Sequence, residues 1–149
     1  MADALVRAGV QEQPVPEYED AAFTTPVSLS EATVAIVTTA GFRREGEPAW
    51  GPQDPSFRAF ETDETGIKLG HLSPNFDRSG FIEDVNVVYP VDRLKEMAAE
   101  GVIGAVAPRH LSFMGAQDDT MTTLRIDTGP AAAKQLREDG VDVILLTPV

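Results

Sequence analysis

Apolar positions predict alternating strands and helices in the second half of the chain. The segment "TVAIVTTAG" is rich in β-branched residues and ends in small ones, which indicates a buried strand. Val102–Ala107 and Val141–Leu146 have a similar composition, and the closing run is predicted to be buried on both faces. Val91–Glu100 and Pro130–Asp139 have helical patterns, and each is followed by a glycine suited to a helix end. This order predicts an α/β fold, with a mostly parallel, Rossmann-like sheet and flanking helices.

The first 31 residues are polar and interrupted by proline, which predicts an extended N-terminal arm ahead of an α/β domain over residues 32–149. A short helix is predicted near Ala4–Val10, and Tyr18 and Phe23 are candidate anchors for the arm.

Within the predicted domain, the 25 residues from Phe42 to Gly66 contain three prolines and no clear period, so they are predicted to form a long loop. Ile67–Ser73 alternates and predicts a second strand, and residues 109–119 are predicted to be a loop after the strand that ends at Ala107.

Composition narrows the function. The net charge of −12 argues against nucleic acid as a partner, since phosphate backbones require clustered Lys and Arg. The 149 residues include no cysteine and two histidines, which excludes disulfides and thiol catalysis within these residues and argues against a classical zinc site. With no long apolar run and no secretory signal pattern, we predict a cytoplasmic protein without membrane contact.

Three residues are candidate catalytic groups. His71 ends a predicted strand, and the pKa of histidine, near neutrality, suits a general acid. The alternative is a structural histidine that donates a hydrogen bond to a backbone carbonyl. His110 and Ser112 follow the strand Val102–Ala107, and their alternate positions allow both side chains to point into one cleft. The alternative for His110 is a satisfied core histidine.

Four residues are candidate substrate-binding groups: Arg58, Asn86, Arg93 and Arg109. The planar fork of Arg58 could bind a substrate carboxylate through two hydrogen bonds, although a local ion pair is the alternative. Asn86 could donate a hydrogen bond to an oxyanion. Arg93 could bind substrate or could instead form a local ion pair that stabilises the helix. We expect Arg58, His71, His110 and Ser112 to converge near the end of the closing strand, where α/β folds bind ligands. No metal site is expected.

Several segments occur together in a characteristic order: "TVAIVTTAGF", "DPSFRAF", "LGHLSPNFD", "EDVNVVYPVDRLKEMAAEGVIGAVAPRHLSFMG" and "GVDVILLTPV". Together, over residues 33–149, they resemble the selenoprotein B component of glycine, sarcosine and betaine reductases and its D-proline reductase relatives. The resemblance implies an α/β fold and a reductive cleavage of a carbon–heteroatom bond, of the C–N type, in a small amine or amino-acid-like substrate.

In that family the closing strand runs into a selenocysteine or cysteine segment, and this sequence stops there. Three explanations stay open: the carboxyl half has been lost, for example through an in-frame UGA read as stop; the chain is processed at this point; or it is a naturally short subunit. The redox group is expected from an external thiol or from a Cys- or Sec-bearing segment. A partner polypeptide or a homo-oligomer is also expected, beside a small-molecule substrate. Two alternatives stay open: a non-catalytic substrate-binding or scaffold subunit, and a racemase- or lyase-like α/β enzyme.

Overall fold

The computed structural model describes residues 4, 8, 20, 24–73 and 78–149. The predicted N-terminal helix is described only at Ala4 and Ala8, which are both helical. The proposed anchors Tyr18 and Phe23 lie outside the described residues.

Within the described residues a five-stranded sheet is accompanied by a small two-stranded one. The strands are β1 (Thr33–Thr38), β2 (Phe42–Arg43), β3 (Phe57–Glu61), β4 (Lys68–Leu69), β5 (Ala105–Val106), β6 (Arg109–Phe113) and β7 (Val143–Thr147). The α-helices are α1 (Ser79–Glu83), α2 (Val91–Ala99) and α3 (Gly129–Glu138). Short 3₁₀ turns occupy Leu29–Glu31 and Val85–Val87, and a π-helical turn occupies Leu124–Thr128.

Strand β1 is the centre of the main sheet. It is parallel to β5 and β6, which follow one another along one of its edges, and to β7 along the other edge. Strand β3 pairs antiparallel with β6 on the outer side, so the sheet is mixed but mostly parallel. The predicted α/β class and the parallel arrangement of the three predicted strands are confirmed.

The two longer helices cover opposite faces of this sheet, as predicted. On one face α2 packs through Leu94 against a cluster that includes Ile36, Phe42 and Tyr89. The rings of Phe42 and Tyr89 meet edge to face, with centroids 5.3 Å apart. On the other face α3 packs through Leu136 against a second cluster. Alternate residues of β1 thus point into two separate apolar layers.

Two predicted elements differ from the structure. The predicted loop from Phe42 to Gly66 contains β2 and β3, and the predicted strand Ile67–Ser73 is reduced to the two residues of β4. The error at β3 has a physical cause: a charged Arg58 sits in the strand, and it is tolerated because its guanidinium has polar and aromatic partners nearby.

The predicted loop at residues 109–119 is wrong over its first half, which is strand β6, and the predicted strand Val102–Ala107 shrinks to β5. His110 and Ser112 are polar yet fully buried in β6, so the sequence pattern concealed a core strand. Their polar atoms bond to backbone groups, which makes the burial tolerable.

Strand β7 does not have the predicted burial on both faces. Ile144 and Leu146 are 44% and 67% exposed, and among the described residues β7 pairs with β1 alone. It is an apolar edge strand. No helix in the described ranges has the length and apolar character needed to cross a bilayer.

His110 bridges the point where the neighbour of β1 changes from β5 to β6. Pro108 lies between those strands, and its carbonyl accepts the Thr62 N–H at 3.0 Å. The Ile36 N–H donates to His110 Nδ1 at 3.0 Å, so the imidazole takes the place of a strand carbonyl. In the neutral ring the proton is then on Nε2, which lies 3.2 Å from Thr62 Oγ1. The Thr62 hydroxyl in turn donates to the Ala107 carbonyl.

Burial lowers the pKa of His110 from 6.5 to about 4, and the nearby charge of Lys95 acts in the same direction. The ring is therefore neutral at pH 7, as its acceptor role requires. Protonation would remove the lone pair that receives the Ile36 N–H.

We expect the free energy of unfolding to fall as the pH drops from about 6.5 to about 4, because the unfolded chain binds a proton that folded His110 excludes. The contribution of His110 to stability is fully present above its pKa in the unfolded chain, about 6.5. It is lost as the pH falls from there to the pKa of His110 in the folded protein, about 4. It amounts to roughly 3 kcal/mol. Urea unfolding at pH 7, 6, 5 and 4 measures it.

The matched control is His110→Asn, whose side-chain oxygen can accept the Ile36 N–H but does not titrate. The variant should be less stable at pH 7 and should have a shallower pH dependence than the unsubstituted chain. Identical slopes in the two proteins would contradict the role assigned to His110.

Candidate functional site

The carboxyl ends of β1, β6 and β7 meet at one edge of the sheet, around Gly115. The Thr39 hydroxyl donates to the Val149 carbonyl at 3.1 Å and accepts from the Val149 N–H at 2.8 Å. A β carbon placed on Gly115 would lie 2.8 Å from both Val149 O and His71 Nε2, and 3.2 Å from Thr39 O. We call this meeting point the carboxyl edge; it is where α/β sheets bind ligands.

His71 is one of the residues at the carboxyl edge. Its side chain is largely buried. Its Nδ1 accepts the Ser73 N–H at 3.1 Å, which leaves the proton of the neutral ring on Nε2, the atom facing Gly115. Burial lowers the pKa of His71, and the positive charge of Arg78 lowers it further. Arg78 also donates to the His71 carbonyl at 2.7 Å.

Two pockets flank the carboxyl edge, and both are bordered by Met114 and Gln117. The first, of about 300 Å³, is mainly apolar, and we call it the apolar pocket. Its walls are Val37, Thr39, Phe113, Met114, Gly115, Gln117, Met121, Leu124 and Gly129. The second, of about 380 Å³, is formed by Pro52, Gln53, Leu72, Ser73, Met114, Ala116 and Gln117.

Unusual backbone geometry is concentrated at these pockets. Gln53 and Met121 have φ values of 56° and 47°, and among the described residues they are the non-glycine positions in the left-handed region. Gln53 borders the second pocket and Met121 borders the apolar pocket. The π-helical turn also begins at a wall residue, Leu124. Strained backbone and π-turns are frequent at functional sites, so they support a ligand-binding role here.

His110 and Ser112 lie on the same face of β6, as their alternation predicts, but both are fully buried. Ser112 Oγ accepts the Phe42 N–H at 2.8 Å and so fixes the start of β2. His110 has the contacts with Ile36 and Thr62 described above. The structure gives both side chains a structural role, and their catalytic roles stay predictions.

Arg58 is aligned with Ser112 in the β3–β6 register, but its guanidinium points to the long connection before β3. It lies 4.1 Å from the centroid of the Trp50 ring, 3.3 Å from a carboxylate oxygen of Glu47 and 2.8 Å from the Pro48 carbonyl. These contacts fasten the connection to the sheet. Binding of a substrate carboxylate by Arg58 stays a prediction.

The other predicted binding residues have local partners. The Asn86 amide bonds to Asp84 and Asp92 and secures the start of α2. Arg93 forms an exposed ion pair with Glu96 at 2.7 Å. Arg109 stands at the amino end of β6, opposite to the carboxyl edge, and forms two hydrogen bonds with Asp139 after α3. Within the described ranges no cluster of His, Asp or Glu is suited to hold a metal ion.

Sequence reasoning missed Gly115 and Gln117, the residues around which the pockets are arranged. The available signal was a glycine and polar residues directly after the apolar run "LSFM". It was overlooked because the preceding segment was predicted to be a loop rather than strand β6.

Gly115→Ala should destabilise the fold by about 1–3 kcal/mol, because its methyl group would collide with His71 Nε2 and the Val149 carbonyl. Urea unfolding measures the loss, and the imidazole NMR signals of His71 should shift. Gly51→Ala is the matched control, since a β carbon at Gly51 meets nothing within 4 Å. Unchanged stability and unchanged His71 signals in the Gly115 variant would refute the close contact.

Comparison with known proteins identifies the family. A family described as glycine/sarcosine/betaine reductase selenoprotein B matches residues 8–149. D-proline reductase subunit gamma of Acetoanaerobium sticklandii is 33% identical over 150 residues, which cover 99% of this chain and 62% of that protein. Glycine reductase complex component B subunit gamma of Carboxydothermus hydrogenoformans is 29% identical, over 91% of this chain and 32% of that protein.

Sarcosine reductase complex component B subunit beta of Peptoclostridium acidaminophilum is also 29% identical, with the same coverage of 91% and 32%. The chain thus spans less than two thirds of the length of these relatives. No solved structure matches it. The family match extends over nearly the whole sequence and confirms the resemblance drawn from the motifs. The chain belongs to the glycine/sarcosine/betaine reductase selenoprotein B family.

Proposed function

We propose that the chain is a subunit of a reductase complex, or part of such a subunit, and that the substrate is reduced at the carboxyl edge. The observation that carries this proposal is the meeting of Thr39, His71, Gly115 and Val149 beside two pockets. The named relatives are subunits of D-proline, glycine and sarcosine reductases. The reaction is the reductive cleavage of a C–N bond in a small amino acid or amine.

The chemistry needs a soft nucleophile that the 149 residues do not contain, since they include no cysteine. A thiolate or selenolate from a Cys- or Sec-bearing segment forms a bond to the carbon that carries nitrogen. The C–N bond breaks, and the nitrogen takes the electron pair and a proton. A second thiol then attacks the sulfur or selenium, the carbon takes a proton, and an external dithiol reduces the resulting disulfide or selenenylsulfide.

His71 is placed to donate a hydrogen bond to the substrate, because its Nε2 faces the carboxyl edge. Burial and the positive charge of Arg78 lower its pKa and so favour the neutral ring, whose proton lies on Nε2 because Nδ1 accepts the Ser73 N–H.

The apolar pocket favours a substrate with a hydrocarbon ring over glycine. Phe113, Met114, Met121 and Leu124 border it and would pack against ring methylenes, each worth about 0.8 kcal/mol when buried. D-proline has such a ring, and a D-proline reductase subunit is among the relatives.

The partner that brings the nucleophile docks, in this proposal, along the outer edge of β7. Ile144, Leu145 and Leu146 are exposed there, and exposed apolar edge strands are typical of sites where another polypeptide binds. The strand leads to the carboxyl edge, so a segment lying along it reaches the pockets. The relatives are named as subunits of complexes, which supports a polypeptide partner.

The purified 149-residue chain should not reduce D-proline or glycine with dithiothreitol. Supplying the cysteine- or selenocysteine-bearing segment, either as sequence beyond Val149 or as a separate subunit, should give turnover, with D-proline preferred, and alkylation of that segment beforehand should abolish it. Product formation followed by chromatography measures both. Turnover by the chain alone would overturn the proposed chemistry. A chain that binds partner and substrate without any turnover would instead identify a scaffold subunit.

Leu146→Lys should weaken association with that subunit by about tenfold or more, because it places a charge in an apolar contact. The matched control is Ile82→Lys, which places the same charge at an exposed apolar position on α1 rather than on β7; Ile82 is 76% exposed. Calorimetric titration measures both affinities. Equal affinities for the two variants would exclude the β7 edge as the interface.

A further inference from the structure

One positive charge beside the carboxyl edge has no negative partner among the described residues. Arg78 is exposed, just before α1, and its Nη2 donates to the His71 carbonyl at 2.7 Å. Most cationic side chains in the part of the chain that the structure describes are paired with carboxylates, as Arg109 is with Asp139. Arg78 forms no such pair within these residues, so its guanidinium offers N–H groups to a ligand.

The bond to the His71 carbonyl determines where this guanidinium lies. That carbonyl leads into Leu72, which borders the second pocket together with Ser73. The positive charge is also near enough to the His71 ring to lower its pKa. The guanidinium therefore lies at the carboxyl edge, on the side of the second pocket, which shares Met114 and Gln117 with the apolar pocket.

An exposed guanidinium in this position is suited to a carboxylate. The bond to the backbone carbonyl uses one of the N–H donors of the planar fork, and the others suffice for two parallel hydrogen bonds to a carboxylate. The net charge of −12 repels anions in general, so a substrate with a carboxylate needs a local cation. A neutral ligand would leave this cation without a counter-charge.

We infer that Arg78 is a substrate-binding residue whose guanidinium holds the carboxylate of an amino-acid substrate. This inference rests on the proposed function. The hydrocarbon ring of the substrate occupies the apolar pocket, its carboxylate lies at Arg78, and the carbon that carries both nitrogen and carboxylate lies between them, beside His71. The site therefore selects amino acids over amines that lack a carboxylate, because a site built to pair with a charged group discriminates against an analogue without it.

Arg58, which the sequence also makes a candidate for this role, has different surroundings. Its guanidinium already contacts Glu47, the Pro48 carbonyl and the Trp50 ring. A substrate carboxylate would have to compete with Glu47 for it. Arg78 has no such competitor among the described residues.

The binding of two matched ligands to the 149-residue chain tests this inference without turnover. D-proline and D-prolinamide have the same ring and the same amino group, but the amide has no negative charge. Both are titrated at pH 7 into the ¹⁵N-labelled chain and followed by NMR. The unsubstituted chain should bind D-proline at least about tenfold more tightly, and Arg78→Gln should reduce this ratio by about fivefold or more. The glutamine amide can still donate to the His71 carbonyl, so the variant keeps the local structure.

Arg78→Lys keeps the charge without the planar fork and should retain part of the preference. The matched control is Arg137→Gln, which removes the same charge near the end of α3 that is remote from Gly129 and the apolar pocket, and it should leave the ratio unchanged. An unchanged ratio in Arg78→Gln, even with both ligands bound more weakly, would overturn the inference alone. Loss of the preference in Arg58→Gln instead would do the same. Failure of the unsubstituted chain to bind either ligand at the carboxyl edge would overturn the proposed site and the inference with it.

Discussion

The hydrogen bond from the Ile36 N–H to His110 Nδ1 is the interaction on which the site depends. Strand β1 runs through the middle of the sheet, and along one of its edges it pairs first with β5 and then with β6. The Pro108 carbonyl between them accepts the Thr62 N–H, so it does not serve as the acceptor for the buried Ile36 N–H of the central strand. The imidazole fills this gap with a ring nitrogen. Strand β6 can therefore continue beside β1 and deliver Gly115 to the carboxyl edge.

The same device explains why polar residues lie in the core of β6. Ser112 accepts a hydrogen bond from the backbone N–H of Phe42, just as His110 accepts one from the backbone N–H of Ile36. Both side chains bond across to neighbouring strands rather than to one another, and together they set the spacing of β1, β2 and β6. Arg58 then fastens the connection that leads to β3, and Gln117 fastens the same connection to the end of β6. The pockets are thus enclosed by segments that are far apart in the sequence.

The elements that could be predicted are those whose burial follows from composition alone. The residues of β1, α2 and α3 are apolar where they face the core. The spacing of these apolar residues and the glycines at the helix ends therefore predicted the bounds of the three elements to within two or three residues. Strands β3 and β6 could not be found in this way, because Arg58, His110 and Ser112 make them resemble loops. Their charges and polar atoms are satisfied by partners many residues away, such as Trp50, Ile36 and Phe42, and a local pattern carries no information about such partners.

The attachment of β7 to β1 also determines how the chain can fold. The Thr33 N–H bonds to the Asp142 carboxylate across 109 residues, and the rest of β7 follows in register. The central strand therefore obtains its second neighbour only after a very large loop has closed, which carries an entropic cost and favours slow folding. Until then one edge of the central, largely buried strand stays open to other chains. Nascent copies at high concentration should for this reason be prone to aggregate through β1, and early capture of this edge by a chaperone would raise the yield of native protein.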